Sequence, residues 1–470
     1  MRSFLLGVGF LGLAMSGAAF GCSSSSSHPA VSDGSNNDAG ATTDASTPSM
    51  DAGTSGIPDT PVGNALTWVL ADMNGAKFTT TEITAHFTKA FLSSVPASEV
   101  LSIFSQFSAM KPWTLIGFDG TPTNTALVAL VKRGDGQVWR LSLNVDGTGL
   151  IDGLLLNTAA DKDPALASFD AVDARLKTLA PNVSVLAATI DKGACTALHA
   201  LAADTSRPLG SQFKLYILAA LAESVKNGAH AWTDTIAIDD KLKSLPSGTF
   251  QDQATGTKLP VTAFVENMIS ISDNTAADHL LFFVGRTNVE DALGKNGHHN
   301  PADDQPFFST RELFDMKLLL TAQDRTDFLA STVTDKRTKL QTYDDTLDPR
   351  TFSGSWTNPI NVDTLEWFAT PNDLCQLMSN LKDYGDAPAT AEVKKALSIN
   401  PGIPDDAGLF SYIGFKGGSE PGVLTLSFLL QRKKDGAFRF YSVETMNTAA
   451  PVNEDAIVYA AQAGRALLGQ

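Results

Sequence analysis

The sequence predicts an α/β protein in which a small α+β domain precedes a larger domain of three layers, αβα, with an antiparallel sheet in the middle. In the larger region, segments typical of β-strands lie near both ends, at residues 183–190, 424–430 and 438–446, and long helical patterns separate them. Strands from the two ends of a domain that pair in one sheet leave both sheet faces to the intervening helices. The smaller region has helical patterns first and strands afterwards, as α+β domains do.

The smaller domain is placed at residues 61–162 by its apolar spacing. Three segments have the period of a helix: 65–74, 81–93 and 97–107. Three β-prone runs follow, which we expect to form an antiparallel meander: 126–132, 138–144 and 149–156. The dipeptide Asp135-Gly136 between the first two runs is a strong hairpin signal. A helical connection at 161–180 then leads to the second domain, at 181–470.

The N-terminus has the pattern of an export signal. Arg2 precedes an apolar run and then small residues, so residues 1–21 are predicted to be a signal peptide. The segment Ala18-Ala19-Phe20-Gly21-Cys22 resembles a bacterial lipobox, which implies a lipid on Cys22. Residues 22–60 are rich in Ser, Thr and Asp and have no Lys or Arg, which predicts a disordered tether. We therefore expect an exported lipoprotein, anchored at the membrane on its periplasmic or cell-surface side. The alternative is secretion with Cys22 unmodified.

The composition limits the classes of function. The chain of 470 residues is 43% hydrophobic, enough for a large core, and has a formal net charge of −16. Affinity for nucleic acid needs clustered Lys and Arg, which this sequence does not have, so we expect no nucleic-acid partner.

Cysteine and histidine spacing does not predict a metal site. Besides Cys22 the chain has Cys195 and Cys375, and the sequence leaves open whether these two form a disulfide. No C-x-x-C or H-E-x-x-H spacing occurs, and His298-His299 lie in a stretch rich in Asn, Gly and Pro that is predicted as loop. We expect neither a metal nor a cofactor.

A serine and a lysine open the most apolar helix that the sequence predicts. Ser211-Gln212-Phe213-Lys214 begins a segment that is apolar nearly all round, so the helix is expected to be buried. Ser211 and Lys214 are one turn apart and share a face. Because burial disfavours the charged form of an amine, Lys214 is expected to be a neutral base beside the Ser211 hydroxyl. The pair is therefore predicted to be an activated nucleophile.

The same spacing also occurs where it predicts no chemistry. Ser379-Asn380-Leu381-Lys382 lies at the polar end of an amphipathic helix, where a helix residue followed by a surface lysine is the simpler interpretation. Lys214 has no such solvated face among its neighbours, which is why only Ser211 is assigned as a nucleophile.

Two further motifs follow Ser211 in the chain. Ser272-Asp273-Asn274 lies between two helical patterns, and a turn with an Asn cap is its alternative interpretation. Lys416-Gly417-Gly418 lies in a predicted strand, where glycines allow a substrate to approach the backbone closely. If Lys416-Gly417-Gly418 lay in a loop instead of a strand, the motif would not indicate a substrate-binding role.

In this order the three motifs resemble those of class A β-lactamase-related serine hydrolases. The segment 369–374, Ala-Thr-Pro-Asn-Asp-Leu, is similar to the family's T-T-P-x-D-L helix start. The resemblance covers about 180–470 and implies the β-lactamase/transpeptidase-like fold. It extends loosely to members whose N-terminal domain has the steroid-isomerase-like (NTF2/cystatin) fold.

The resemblance also implies roles for individual residues. Ser272 relays protons toward the leaving group, Asn274 binds substrate and Lys214, and Asp273 braces the loop. Lys416 supplies positive charge to an anionic substrate group or to the relay. The amides of Ser211 and Ser419 form the oxyanion hole, with Gly418 beside them in the substrate-binding strand.

One motif of class A β-lactamases does not occur. Their E-x-x-L-N loop carries the glutamate that positions the water for deacylation, and no such motif lies between Asn274 and Lys416. Glu366 is the candidate substitute, and Glu312 is predicted to be a helix-start residue instead. We therefore expect an enzyme that is acylated on Ser211 by a β-lactam or a small ester. The alternatives are a penicillin-binding-protein-like DD-peptidase and a catalytically inactive surface binding module.

Overall fold

The computed structural model describes residues 56–134, 138–158, 166–403, 405 and 408–470. The predicted signal peptide, the Cys22 lipid site, most of the tether and the Asp135-Gly136 turn lie outside these residues. The described residues form two compact units, one before and one after residue 160. Among them, no helix combines the length and the apolarity needed to cross a bilayer.

The first unit has helices on one face of an antiparallel meander. Its elements in chain order are α1 (Pro61–Met73), α2 (Thr80–His86), α3 (Lys89–Ser94), α4 (Ala97–Ala109), β1 (Trp113–Phe118), β2 (Ala126–Arg133), β3 (Val138–Val145) and β4 (Ile151–Thr158). The strands pair in the order β1-β2-β3-β4. Alternate residues of β2, such as Ala129 and Val131, are buried in the same core as Trp68 and Phe104 of the helices, as expected for a sheet covered on one face.

The structure confirms the three predicted strands of this unit and adds β1, which the sequence analysis missed. The helical pattern at 81–93 is two helices, because Thr88 interrupts it. The Thr88 hydroxyl accepts a hydrogen bond from the amide of Phe91 and caps α3.

The second unit has its sheet between two layers of helices. Its helices are α5 (Phe169–Leu179), α6 (Lys214–Lys226), α7 (Val261–Ser270), α8 (Asn274–Val284), α9 (Arg286–Lys295), α10 (Thr310–Leu318), α11 (Ala322–Leu329), α12 (Val333–Thr346), α13 (Pro371–Asp386), α14 (Glu392–Ser398) and α15 (Glu454–Leu467). Its strands are β5 (Asn182–Asp191), β6 (Ala194–Leu201), β7 (Arg207–Pro208), β8 (Thr235–Ala237), β9 (Lys258–Pro260), β10 (Phe368–Ala369), β11 (Phe410–Glu420), β12 (Val423–Arg432) and β13 (Phe438–Met446).

The two ends of this unit meet in one antiparallel sheet, as the sequence predicts. The strand order is β11-β12-β13-β5-β6, so β13, near the C-terminal end, pairs with β5, near the start. Helices α5 and α15 bury one sheet face. The other face packs on a larger core to which α6 and α13 contribute. Two short strands, β7 and β10, pair beside the start of α6.

A disulfide joins the edge strand β6 to helix α13. It links Cys195 and Cys375, whose Cα atoms are 6.3 Å apart and which are separated by 180 positions in the sequence. This pairing resolves the alternative that the sequence left open.

Candidate active site

Ser211 lies in a 3₁₀ turn, Gly210–Phe213, that leads directly into α6. The helix ends at Lys226 with Asn227 as its C-cap. The turn is held from the side by the residue before β10, because the amide of Leu209 donates to the carbonyl of Trp367 at 2.8 Å. Trp367 also stacks on Phe213, with ring centroids 3.7 Å apart. These contacts fix the backbone on both sides of Ser211.

Lys214 is fully buried at the start of α6 and points at the serine. Its Nζ lies 3.2 Å from Ser211 Oγ. The other three neighbours of the amine come from the predicted S-D-N motif: the carbonyl oxygen of Ser272 at 2.5 Å, its hydroxyl at 3.1 Å, and Oδ1 of Asn274 at 2.6 Å. The structure thus brings the first two motifs together around one nitrogen.

Burial lowers the pKa of Lys214 to about 7, although the carboxylates of Asp273 and Asp278 oppose this shift. A neutral amine has two N–H donors and one lone pair. The carbonyl of Ser272 and the amide oxygen of Asn274 can only accept, so they take both donors. The lone pair is then left for a hydroxyl, either that of Ser211 or that of Ser272. This is the arrangement of a general base next to its serine.

Asp273 braces the loop between α7 and α8. Its carboxylate caps α8 by accepting from the amide of Ala276 at 2.8 Å, and it also accepts from the amides of Thr249 and Phe250. Ser272, just before it, has a positive φ of 59°. That left-handed conformation is costly for a serine. The loop therefore holds Ser272 in a strained position between the two lysines.

Ser272 connects Lys214 to Lys416. Its hydroxyl lies 2.9 Å from Lys416 Nζ, which also donates to the carbonyl of Gly417 at 2.7 Å. Lys416 is buried on β11. Burial lowers its pKa well below the usual value, and the nearby charge of Lys214 lowers it further. Two amines of reduced basicity on either side of one hydroxyl form a chain along which a proton can move.

Strand β11 packs against the backbone of the nucleophile turn. A Cβ on Gly418 would collide with the carbonyl oxygen of Leu209 and the amide nitrogen of Ser211. One on Gly210, whose φ is +47°, would lie 3.1 Å from the amide nitrogen of Ser419. Only glycine permits this approach. The amides of Ser211 and Ser419 thus lie on two backbone segments in direct contact, the relationship that an oxyanion hole needs.

Glu366 and Glu312 have other partners. The carboxylate of Glu366 is buried against Lys317, at 2.8 Å, and among the described residues no hydrogen bond joins it to Ser211, Lys214 or Ser272. Glu312 belongs to the capping box of α10 with Ser309, as predicted. The second S-x-x-K match also has no catalytic setting, since Lys382 pairs with Asp383 and Asp386.

Three side chains have a spacing that could suit a metal ion. Ligand atoms of His298, His299 and Asp373 lie within 4.8 Å of one another. Their hydrogen bonds already give them a structural role. His299 Nδ1 bonds to Asp373 at 2.7 Å, and His298 contacts the carbonyl of Phe368 with one ring nitrogen and the amide of Asn300 with the other.

Two residues that shape the site were not predicted from the sequence. Thr425 on β12 donates its hydroxyl to the carbonyl of Leu209, and Lys317 on α10 holds Glu366. A single threonine in a strand and a single lysine in a helix have no spacing signal. Glu420, which also contacts Lys317, directly follows Ser419 in the sequence.

Family models match both parts of the chain. Residues 170–400 match a model described as the Beta-lactamase enzyme family, and residues 57–151 match one described as ORF 12 gene product N-terminal. The first match includes Ser211 and Ser272 and ends before Lys416. No curated protein matches the chain significantly.

Solved β-lactamases and the protein PBP-A are similar to the chain. A β-lactamase from Sphaerobacter thermophilus is 20% identical with a TM-score of 0.44, and the alignment covers 64% of this chain and 96% of that one. The protein PBP-A is 16% identical with a TM-score of 0.42, covering 63% and 95%. A β-lactamase from Francisella tularensis is 15% identical with a TM-score of 0.45, covering 62% and 95%.

The family model and the fold lead to the same assignment. The antiparallel sheet between helical layers is the β-lactamase/transpeptidase-like fold, and the small N-terminal unit is separate from it. Residues 170–400 are therefore a domain of the β-lactamase enzyme family, and the chain is a class A β-lactamase-like serine hydrolase.

Proposed function

We propose that this hydrolase forms an acyl-enzyme on Ser211 with a β-lactam amide or a small ester. The observation that carries the proposal is the contact between Lys214 Nζ and Ser211 Oγ at 3.2 Å, made by an amine whose pKa burial lowers to about 7, so that its neutral form is well populated at neutral pH. Burying the Lys214 amine costs folding free energy because burial disfavours its charged form, and a catalytic role beside Ser211 explains why the lysine is there.

In the proposed acylation step, Lys214 takes the Ser211 proton while Oγ attacks the carbonyl carbon of the substrate. The carbonyl oxygen gains the negative charge and is held by the amides of Ser211 and Ser419, each worth about 3–4 kcal/mol to the transition state. The bond to the leaving nitrogen or oxygen then breaks. Ser272 protonates the leaving atom and regains a proton from Lys214 or Lys416.

Substrate binding in this proposal uses the residues around the Ser211 hydroxyl. The amide oxygen of Asn274 accepts from Lys214 and so orients the base. Its amide nitrogen donates to the carbonyl of Leu245 at 3.1 Å and keeps a second N–H for substrate. Lys416 places a positive charge on β11 for an anionic substrate group, and Gly418 lets the substrate lie against the strand. A substrate carboxylate near Lys416 would raise the pKa of that lysine by opposite charge.

Deacylation is expected to be slow. The chain has no E-x-x-L-N motif, and Glu366, our candidate deacylation base, has its carboxylate bound by Lys317. To act on water, Glu366 would have to give up that ion pair. This favours a second function, a penicillin-binding-protein-like DD-peptidase, in which a long-lived acyl-enzyme with β-lactams is the expected behaviour. A catalytically inactive binding module is disfavoured, because recognition alone needs no buried amine beside Ser211.

Parallel kinetics with three substrates test these alternatives. A chromogenic cephalosporin, a simple aryl ester and a peptide ending in D-Ala-D-Ala are each given to wild type and Ser211→Ala. Turnover of cephalosporin or ester by wild type alone supports the proposed hydrolase. Peptide cleavage with stable penicillin labelling supports the DD-peptidase. Equal activity or labelling in both proteins contradicts every Ser211-based function.

We also propose that the chain is exported and anchored through a lipid on Cys22. The support is the sequence at 1–60. Metabolic labelling with an alkyne fatty acid should mark wild type in a bacterial host and leave Cys22→Ala unmarked. Labelling of neither protein while the signal is cleaved would favour ordinary secretion, and labelling of both would contradict Cys22 as the site of the lipid.

For the N-terminal unit we propose the steroid-isomerase-like (NTF2/cystatin) fold. Its support is the order of elements, helices α1 to α4 followed by the four-stranded meander. An experimentally determined structure compared with members of that fold tests the assignment, and a different strand order would overturn it.

A further inference from the structure

Two buried glutamates lie beside the backbone segments that carry the amides of Ser211 and Ser419. Glu420 directly follows Ser419 at the end of β11. Glu366 precedes Trp367, whose carbonyl accepts from the amide of Leu209. Phe368 pairs with Pro208 and Ala369 with Arg207, so the segment that follows Glu366 runs antiparallel beside the residues that lead into Ser211.

Lys317 of α10 joins these two glutamates. Its Nζ lies 2.8 Å from Oε1 of Glu366 and 2.6 and 2.7 Å from the two carboxyl oxygens of Glu420. The lysine side chain is fully buried, and those of Glu366 and Glu420 are 1% and 5% exposed. Three elements that are distant in sequence therefore meet in one buried ionic cluster.

The charges of this cluster balance only if it holds an extra proton. Two carboxylates and one ammonium would leave a net negative charge in a buried place, which is strongly unfavourable. Burial and then the charge of Glu366 raise the pKa of Glu420 well above its usual range, with Lys317 opposing in part. For Lys317, burial lowers the pKa, but the two glutamates more than offset it and keep the amine charged. One glutamic acid, one glutamate and one ammonium make a neutral set.

We propose that Lys317, Glu366 and Glu420 are positioning residues that set the spacing of the Ser211 and Ser419 amides, with one proton shared between the two glutamates. This inference rests on the proposed acyl-transfer function of Ser211. The cluster ties the end of β11 to the segment that holds the nucleophile turn. The backbone contact of Gly418 with Leu209 and Ser211 fixes one side of the hole, and the cluster fixes the other.

An ion cluster that serves stability alone is the competing explanation, and a matched control separates the two. Glu290 of α9 is also buried, and its carboxylate accepts hydrogen bonds from Arg337 and from the amide of Phe307. Glu290→Ala should lower the unfolding temperature without changing the chemistry of folded molecules.

The experiment measures how fast a fluorescent fluorophosphonate labels the full chain at several probe concentrations. This gives the maximal labelling rate constant and the half-saturating concentration separately. Thermal unfolding of each variant is measured in parallel. Glu420→Ala is expected to lower the rate constant about 10- to 100-fold with the half-saturating concentration unchanged. Glu420→Gln should restore most of the rate, since its amide accepts from Lys317 and donates to Glu366 as the protonated acid does. Lys317→Met should resemble Glu420→Ala.

Each other outcome has a definite meaning. Equal rate constants in wild type and folded Glu420→Ala overturn the positioning role, as does an equal loss in Glu290→Ala. A Glu420→Gln variant as slow as Glu420→Ala overturns the shared proton. If wild type is not labelled on Ser211 at all, the proposed function itself fails.

Discussion

The amine nitrogen of Lys214 lies 3.2 Å from the hydroxyl oxygen of Ser211, while two carbonyl oxygens take its N–H donors. Acylation should therefore need the neutral amine. Since burial lowers the pKa of Lys214 to about 7, the acylation rate should rise with pH around a midpoint near 7. Stopped-flow acylation between pH 5 and 9 measures this. A rate that falls through that range would contradict the assignment of Lys214 as base.

The same pKa shift makes stability depend on pH. The folded Lys214 loses its proton near pH 7, whereas the unfolded lysine keeps it up to its ordinary value of 10.5. Between these values unfolding takes up a proton, so the free energy of unfolding should increase with pH. The difference in unfolding free energy between wild type and Lys214→Met should therefore shift in favour of wild type as pH rises from 7 to 10. Urea unfolding at several pH values tests it, and a constant difference would contradict the shift.

Ser272 should be needed for proton transfer to the leaving group. Its hydroxyl lies 3.1 Å from Lys214 Nζ and 2.9 Å from Lys416 Nζ. We expect Ser272→Ala to lower the acylation rate about 10²- to 10⁴-fold, and to lower it less for esters with good leaving groups. Ser379→Ala, in the second S-x-x-K match, is the control and should keep the wild-type rate. Equal rates for Ser272→Ala and the control would remove Ser272 from the mechanism.

Gly418→Ala should lower the acylation rate while leaving the fold close to that of the wild type. Its Cβ would meet backbone atoms of Leu209 and Ser211, which cannot move away as a flexible side chain could. We expect the acylation rate to fall about 100-fold or more while circular dichroism stays close to wild type. At Gly147 an added Cβ meets no atom within 4 Å, so Gly147→Ala should change neither quantity. Full activity in Gly418→Ala would contradict the close approach of β11.

The disulfide should stabilise the domain without contributing to chemistry. Cys195 and Cys375 close a loop of 180 positions, and such a cross-link is typically worth about 2–5 kcal/mol. The double variant Cys195→Ala/Cys375→Ala should unfold at a lower temperature. Its Ser211 labelling rate below the transition should match wild type. An unchanged unfolding temperature would contradict the stabilising role.

The sequence predicted the parts of the site that have fixed local spacing. Ser211 and Lys214 are one helical turn apart, and Ser272 and Asn274 lie in one loop, so short-range pattern identified them. The sheet was predictable because β5, β12 and β13 are rich in β-branched, aromatic and other apolar residues and lie near the two ends of the domain. Strand β1 was missed because it is short and interrupted by Gly117.

Long-range partners could not be predicted in the same way. Lys317 meets Glu366 and Glu420 only after three distant elements have folded together, and no periodicity connects 317 with 366 or 420. The same is true of Cys195 and Cys375. Glu366 was considered for its residue type and its place before 369–374, but its ion pair with Lys317 could be seen only in three dimensions.

Acylation of Ser211 is tested most directly by the mass of the intact protein after incubation with penicillin or a fluorophosphonate, followed by peptide mapping. We expect one covalent adduct per chain, located on Ser211, and none on Ser211→Ala. An adduct of equal yield on Ser211→Ala, or one mapped to another residue of the wild-type protein, would contradict it.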